Sequence, residues 1–265
     1  MKATINGFEM AYDDRGEGKP VILLHGFPLC REMWEKQATA LHQAGYRVIT
    51  PDLRGFGESE ATVDGYEMAS LADDVAALMD YLKLKQAVIG GMSMGGYILL
   101  SLLENHFQRL SAALFIVTRG AADDEPGKEK RRLLAKDVKA GRPETVSAAF
   151  EKVLFATDTK EKQPEIIEKV TGWMNNTDPK ALIGGLLGMA ERKNYLPLLS
   201  HFALPALVIA GEEDVTIPPE NSEALAESLP NAILKVLPEA GHMANLEQPE
   251  EFNRTLLGFL DKVKD

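Results

Sequence analysis

The stretch AVIGGMSMGGYILLSLL, residues 87–103, places one serine between two pairs of glycines. Apolar residues typical of a buried strand precede the glycines, and an apolar run with helical character follows them. Gly-Met-Ser-Met-Gly matches G-x-S-x-G, a pattern that indicates a nucleophile when a strand precedes it and a helix follows. A turn this tight requires residues without side chains two positions before and after Ser93. The stretch therefore predicts an exposed serine hydroxyl at a strand's carboxyl end, and the alternative is a capping serine in a glycine-rich turn.

The composition is that of an ordinary globular protein. The chain has 265 residues, of which 45% are hydrophobic and 26% charged, so it can form one large α/β domain or a core with an insert. Its formal net charge of −11 argues against binding nucleic acid or an anionic membrane through bulk charge. The sequence shows no signal-peptide pattern and no apolar run long enough to span a bilayer. A cytoplasmic location is the default expectation.

Short apolar runs alternate with segments of helical period along most of the chain. This alternation predicts an α/β fold with a mostly parallel sheet and helices on both faces. The first predicted strand region has a polar alternation that fits a hairpin or edge strand, and the others are nearly continuous apolar runs expected to be buried on both faces. The predicted strand regions are residues 4–14, 20–26, 46–52, 86–92, 110–118, 204–211 and 232–240.

The alternation stops over residues 119–200, where no buried-strand run occurs. Amphipathic stretches dominate there instead, at residues 129–141, 144–155, 164–174 and 179–193. Stretches rich in glycine, proline and charge border this region, as is common for inserts. We therefore expect a core formed by residues 1–118 and 201–265, with a helical cap insert at 119–200.

Three other stretches place reactive groups after predicted strands. VILLHGFP, residues 21–28, can direct the backbone N–H of Phe27 towards Ser93, and the N–H of Met94 would complete a two-donor oxyanion hole. LVIAGEEDVTIPP, residues 207–219, brings Asp214 to a strand end, with Glu213 as an alternative acid. LKVLPEAGHMANLEQPEEF, residues 234–252, supplies His242 in a loop, and the order serine, acid, histidine is that of hydrolases with this kind of sheet.

The chain resembles the α/β-hydrolase fold family over nearly its whole length. The resemblance lies in HGFP, PDLRGFGES, GMSMGG, GEEDVTIP and AGHMANLEQP, which occur in this order, and it is closest to small capped carboxylesterases, enol-lactonases and cofactor-free perhydrolases. It implies that Ser93 is the nucleophile, His242 the general base and acid, and Asp214 the carboxylate that orients the histidine. It also implies that Phe27 and Met94 provide the oxyanion donors.

Three further residues are candidates for the pocket. Pro28 follows the aromatic residue of the oxyanion loop, as it does in related perhydrolases, where a shifted backbone carbonyl can accept a hydrogen bond from hydrogen peroxide. Cys30 is three residues beyond Phe27 and could line the pocket. Arg119 follows a core strand directly and could face either the pocket or the acidic residues after it. In the pocket it would suit a substrate with a free carboxylate, such as an enol-lactone, but a structural salt bridge is the favoured interpretation.

The sequence thus predicts a serine hydrolase that cleaves a small-molecule ester or lactone through an acyl-enzyme, with peracid formation as a possible side activity. The single cysteine and the absence of Cys/His clusters argue against a disulfide and a zinc site, and no cofactor or metal is expected. A C–C bond hydrolase and a ligand receptor of the same fold remain alternatives. A haloalkane dehalogenase of this fold would need an aspartate at position 93. The oligomeric state cannot be inferred from the sequence.

Overall fold

A computed structural model of the protein describes residues 1–263, which form one eight-stranded sheet with helices packed on it. The strands are β1 (Lys2–Ile5), β2 (Phe8–Arg15), β3 (Pro20–Leu24), β4 (Arg47–Pro51), β5 (Ala87–Met92), β6 (Leu110–Ile116), β7 (Ala206–Gly211) and β8 (Ala232–Leu237). Their order across the sheet is β1-β2-β4-β3-β5-β6-β7-β8.

The predicted, mostly parallel sheet is confirmed. Strands β3 to β8 all run in the same direction, and the antiparallel pairs are β1 with β2 and β2 with β4. β1 and β2 form the hairpin expected from residues 4–14, joined by Asn6 and Gly7 with φ values of 46° and 86°. An Asn-Gly pair suits such a turn because both positions need positive φ.

Residues 1–263 also form eleven α-helices. They are α1 (Glu35–Gln43), α2 (Met68–Tyr81), α3 (Met94–Asn105), α4 (Glu125–Lys139), α5 (Glu144–Glu151), α6 (Thr157–Lys162), α7 (Pro164–Asn175), α8 (Pro179–Ala190), α9 (Pro219–Ser228), α10 (Ala244–Glu247) and α11 (Pro249–Leu260). None of them is long and apolar enough to serve as a transmembrane helix.

The two faces of the sheet bury separate apolar clusters. In β3, Ile22 and Leu24 belong to one cluster, which includes side chains of α2 and α3. Val21 and Leu23 point the opposite way and pack in a second cluster with side chains of α1 and α11. Because successive strand residues face opposite sides, a strand covered on both faces needs the continuous apolar run that the sequence shows.

The prediction that every strand after the first region is buried on both faces is wrong for β8. Ile233 is 47% exposed, and Lys235 also faces solvent. β8 is the last strand in the sheet order and pairs only with β7. An edge strand can therefore keep one face partly in water although its residues are mostly apolar.

The chain between β6 and β7 contains the five helices α4 to α8 and a 3-10 helix at Leu196–His201. Within it, α4 packs on α8 and α5 packs on α7. Asp124 caps α4 by accepting a hydrogen bond from the N–H of Gly127 at 2.9 Å, and Asp178 caps α8 through the N–H of Lys180 at 2.7 Å. α6 has no counterpart among the amphipathic stretches of the sequence.

The turn from β5 to α3 is packed so closely that its glycines cannot carry side chains. A Cβ on Gly91 would lie 2.1 Å from the carbonyl oxygen of Gly95. A Cβ on Gly95 would lie 2.6 Å from the carbonyl oxygen of Leu24 and 2.8 Å from that of His25. Backbone, not a movable side chain, occupies this space, so the glycines fix the start of α3 against the loop after β3.

Replacing Gly91 with alanine should therefore destabilise the protein by about 3 kcal/mol, the upper range for overpacking a tight interior. Gly172 provides the control, because it is helical and a Cβ there would meet nothing within 4 Å. Gly172→Ala should raise the free energy of unfolding by about 0.5–1 kcal/mol, since alanine is the better helix former. Urea denaturation measures both changes, and a Gly91→Ala variant as stable as the wild type would contradict the prediction.

Candidate functional site

Ser93 adopts a backbone conformation that L-residues rarely have. Its φ is 51° and its ψ is −110°, at the position immediately before α3. The backbone is held on both sides, because the N–H of Ser93 donates to the carbonyl of Ile116 at 2.9 Å and the Thr118 hydroxyl donates to the carbonyl of Ser93 at 2.9 Å. Such a conformation costs about 1–3 kcal/mol and persists only where the surroundings enforce it. The Ser93 side chain remains partly accessible.

Asp214 and His242 form a buried hydrogen-bonded pair. The two residues follow β7 and β8, and Nδ1 of His242 lies 2.7 Å from Oδ2 of Asp214. The other carboxylate oxygen accepts hydrogen bonds from the N–H groups of Thr216 at 2.8 Å and Ile217 at 2.9 Å. A carboxylate partner at Nδ1 places the proton on that nitrogen and leaves Nε2 free to accept one.

Glu213, the alternative acid, contacts a different part of the chain. Its carboxylate accepts a hydrogen bond from the N–H of Thr157 at 3.0 Å. Of the two adjacent acids, Asp214 is thus the one hydrogen-bonded to His242. The sequence analysis named Asp214 as the acid and kept Glu213 as the alternative.

Glu247 is a buried carboxylate that supports the loop carrying His242. Its Oε1 accepts from the N–H groups of Gly241 at 3.1 Å and Met243 at 3.0 Å, on either side of His242. Its Oε2 accepts from the N–H of Ala156 at 2.8 Å and the hydroxyl of Thr159 at 2.7 Å. Burial raises the pKa of this carboxyl, and the hydrogen bonds it accepts oppose the rise. Sequence analysis missed this role, and its one signal was an acid shortly after the histidine.

Residues 153–159, here called the clamp segment, join the helical segment between β6 and β7 to both loops. The carbonyl of Leu154 accepts hydrogen bonds from the N–H groups of His242 at 2.8 Å and Met243 at 3.2 Å. The carbonyl of Val153 accepts one from the hydroxyl of Thr216 at 3.0 Å. Together with the bonds to Glu213 and Glu247, these contacts hold the Asp214 and His242 loops against a segment far away in the sequence.

The predicted oxyanion donors lie beside Ser93. A Cβ on Gly26, next to Phe27, would lie 3.5 Å from the Cβ of Ser93. Met94 is the first residue of α3, where a helix leaves its N–H groups without internal acceptors. Among the backbone hydrogen bonds that residues 1–263 make outside regular helices and strands, none is donated by the N–H of Phe27 or of Met94. Both therefore stay candidate donors for a bound ligand.

His25 holds the loop after β3 in place. Its Nδ1 lies 2.8 Å from the carbonyl oxygen of Gly26, and its Nε2 accepts a hydrogen bond from the N–H of Leu53 at 2.9 Å. The ring is fully buried, and this burial lowers its pKa, which favours the neutral form. Both ring nitrogens are thus used for backbone contacts.

A cavity of about 230 Å³ lies beside Ser93. Its apolar wall includes Phe27, Phe150 and Ile217, and its polar wall includes Arg119. The rings of Phe27 and Phe150 are in contact, with centroids 5.5 Å apart, so the loop after β3 meets the helical segment at this cavity. The space is suited to a small molecule with an apolar part and a polar or charged part.

Of the three predicted pocket residues, Arg119 lines the cavity, whereas Pro28 and Cys30 do not. The carbonyl of Pro28 accepts a hydrogen bond from the Thr177 hydroxyl at 3.2 Å. Cys30 is buried, and burial raises the pKa of its thiol to about 12, so the thiolate is strongly disfavoured. Among residues 1–263, no group of three or more His, Cys, Asp or Glu side chains is arranged to hold a metal ion.

Arg119 makes the local salt bridge that the sequence analysis favoured, and its partner is Asp123. Its guanidinium is hydrogen-bonded to Asp123, a carboxylate that also binds Arg131 and Arg192. Burial opposes ionisation of Asp123, but hydrogen bonds and charges from Arg192 and Arg131 hold its pKa well below the usual range. Sequence analysis identified one arginine of this cluster and missed the other two.

Comparison with known proteins identifies the family to which this chain belongs. Residues 19–249 match the family model described as the alpha/beta hydrolase fold. A thermophilic esterase from Thermogutta terrifontis, solved with malate bound, is 37% identical, with a TM-score of 0.95 and coverage of 99% of this chain and 98% of that one.

Two curated relatives have other activities in their names. 3-Oxoadipate enol-lactonase 2 of Acinetobacter baylyi is 32% identical over 84% of this chain and 82% of its own length. A non-heme chloroperoxidase of Kitasatospora aureofaciens is 31% identical over 98% of both chains. The family match and these similarities, on the fold described above, show that the chain belongs to the α/β-hydrolase fold family.

Proposed function

We propose that this protein is a serine hydrolase that cleaves carboxylic esters or lactones through an acyl-enzyme. The observation that carries the proposal is the pairing of two features at one edge of the sheet. Ser93 sits partly accessible on a strained turn beside a small cavity, and a buried Asp214–His242 pair follows neighbouring strands. Relatives named esterase and enol-lactonase support the same class of reaction, since both break an acyl–oxygen bond.

In the proposed reaction, Nε2 of His242 takes the proton of the Ser93 hydroxyl as its oxygen attacks the substrate carbonyl. Asp214 keeps the ring in the required tautomer and stabilises the imidazolium. The N–H groups of Phe27 and Met94 donate to the oxygen that becomes negatively charged, and one such donor contributes roughly 3 kcal/mol. His242 then protonates the leaving alcohol. In the second half, His242 takes a proton from water as the water attacks the acyl-enzyme, and it returns that proton to the Ser93 oxygen as the carboxylic acid leaves.

The helices between β6 and β7 act in this proposal as a cap. Residues 119–200 supply Phe150 and Arg119 to the cavity, so substrate selection depends on this segment as well as on the sheet loops. The clamp segment and Glu247 give the cap a second role, because they hold the backbone around His242.

Peracid formation is a second candidate activity. Here hydrogen peroxide in place of water attacks the acyl-enzyme, which releases the peracid and regenerates Ser93. Two observations favour it: the chloroperoxidase relative, and Pro28 directly after Phe27 in the loop beside Ser93. A proline fixes its own φ and lacks an N–H, so it influences the backbone carbonyls of this loop.

Replacing Ser93 with alanine should reduce kcat on short-chain 4-nitrophenyl esters at least about a thousandfold, because no nucleophile remains. Ser70→Ala, on the exposed side of α2, serves as the control and should retain the wild-type rate. Steady release of nitrophenol by the wild type is expected. A stoichiometric burst without turnover would instead identify a receptor, and an unaffected Ser93→Ala variant would exclude Ser93 as the nucleophile.

Replacing Glu247 with glutamine should lower both stability and turnover. The amide NH₂ cannot accept the backbone hydrogen bonds that the carboxylate oxygen accepts, which costs about 2 kcal/mol and lowers Tm by about 4–8 °C. Because the backbone around His242 loosens, kcat should fall about tenfold while KM changes less than about twofold, as for a lost transition-state interaction.

Glu250→Gln is the matched control for this test, since Glu250 is an exposed acid at the start of α11. It should change neither Tm nor kcat. A lower Tm with unchanged kcat in Glu247→Gln would show that Glu247 stabilises the fold without positioning His242.

Replacing Pro28 with leucine should lower the ratio of peracid formation to ester hydrolysis several-fold, because the loop backbone beside Ser93 changes. The ratio is measured on one methyl ester with and without hydrogen peroxide, and a dye-bleaching assay detects the peracid. If the variant hydrolyses the ester normally and its ratio of peracid formation to hydrolysis is unchanged, Pro28 does not favour peracid formation.

A further inference from the structure

The cavity beside Ser93 is lined by more positive than negative charge. Arg119, Lys130 and Arg131 contribute to its wall, and Asp123 is the one acid among its lining residues. Arg192 binds the same carboxylate from behind. Three arginines thus bind one carboxylate, and the exposed Lys130 adds a further positive charge to the cavity wall.

Arg192 by itself is enough to neutralise the negative charge of Asp123, although Arg119 and Arg131 bind it as well. It binds both carboxylate oxygens, with Nη2–Oδ1 and Nη1–Oδ2 distances of 2.9 and 2.8 Å. It also donates to the carbonyl oxygens of Met189 at 2.8 Å and Ala121 at 3.1 Å, and its guanidinium lies 4.2 Å from the centre of the Tyr97 ring. Its side chain is only 3% exposed. The buried Nε of Arg192 also has no hydrogen-bond partner within residues 1–263, but both of its Nη atoms are occupied by Asp123 and the two carbonyl oxygens. Because the side chain is almost fully buried, we assign Arg192 a structural role beside the cavity.

Arg119 and Arg131 retain unused donors. Arg119 reaches Asp123 through Nη2, and its buried Nε has no hydrogen-bond partner within residues 1–263. Arg131 reaches Asp123 through Nε at 2.6 Å, and its Nη1 has only the weak acceptor Sδ of Met189, at 3.4 Å. A guanidinium carries five N–H donors, so several of these remain for a bound molecule.

A partly enclosed cavity with surplus positive charge favours a ligand that carries negative charge. The planar fork of an arginine matches the two oxygens of a carboxylate. Much of the remaining wall, including Phe27, Phe150 and Leu186, is apolar and suits an aliphatic chain. The site thus combines an apolar channel with an anion-binding end, and Ser93 lies on the same cavity.

We propose that this cavity selects esters or lactones that carry a second, free carboxylate, and that Arg119 and Arg131 bind that group. The inference rests on the proposed function for the reaction itself, but the anion site is argued from the charges and unused donors alone. Neutral esters of the same size would fill the cavity and leave the surplus charge uncompensated.

Matched substrates test this directly. One is the 4-nitrophenyl half-ester of glutaric acid, and the other is 4-nitrophenyl 5-methylhexanoate, in which an isopropyl group replaces the carboxyl group. After subtraction of spontaneous hydrolysis, kcat/KM of the wild type should favour the half-ester about tenfold or more, as expected for charge-assisted hydrogen bonds.

The same preference should fall about tenfold in Arg119→Gln and Arg131→Gln. Arg132→Gln is the matched control, because it removes the neighbouring arginine of α4, which is exposed and pairs with Glu191 at 2.7 Å. Its preference should equal that of the wild type. Thermal melting checks that each variant is folded. If a variant does not fold, the inference is tested by the wild-type ratio of kcat/KM for the half-ester to kcat/KM for the neutral ester.

The outcomes separate this inference from the proposed function. A wild type that hydrolyses both esters equally well, or a preference that survives in both arginine variants, overturns the carboxylate site and leaves the esterase standing. If neither ester is hydrolysed, the proposed function fails. Calorimetry with glutarate and glutaramide then decides the anion site: glutarate binding that is lost in Arg131→Gln supports it, and no glutarate binding to the wild type overturns it.

Discussion

The close backbone contact between Gly91 and Gly95, on either side of Ser93, constrains the loops at the carboxyl ends of β3 and β5. Gly91 lies against Gly95, and Gly95 lies against the carbonyl oxygens at the end of β3. The turn that gives Ser93 its φ of 51° therefore also determines how near the loop carrying Phe27 can approach. One steric requirement positions the serine, the start of α3 and the predicted oxyanion donors together.

Local sequence predicted the strands well because burial on both faces requires apolar residues at every position. The same reasoning failed for β8, whose apolar letters do not reveal that it is the last strand of the sheet. α6 was missed because its sequence, TDTKEK, has no apolar period, and its position depends on contacts such as that of Thr159 with Glu247. Edge position and such contacts are properties of the assembled fold.

The candidate site shows the same division. Ser93, Asp214 and His242 could be proposed from sequence because each directly follows a recognisable strand. The family resemblance favoured Asp214 over the adjacent and chemically alike Glu213, and their separate hydrogen-bond partners, His242 and Thr157, could be seen only in the folded chain. The pairing of Asp123 with Arg192 spans 69 residues of sequence, so no local pattern could indicate it.

The clamp segment limits how the helices over the cavity can move. Leu154 and Ala156 are bonded to the histidine loop and to Glu247, so lifting this part away would remove the backbone support of the imidazole. If the helices between β6 and β7 move when a ligand enters or leaves, we expect that movement to occur outside residues 153–159. Exchange of these helices between related proteins would likewise have to preserve the clamp segment, because the loop of His242 is bonded to it.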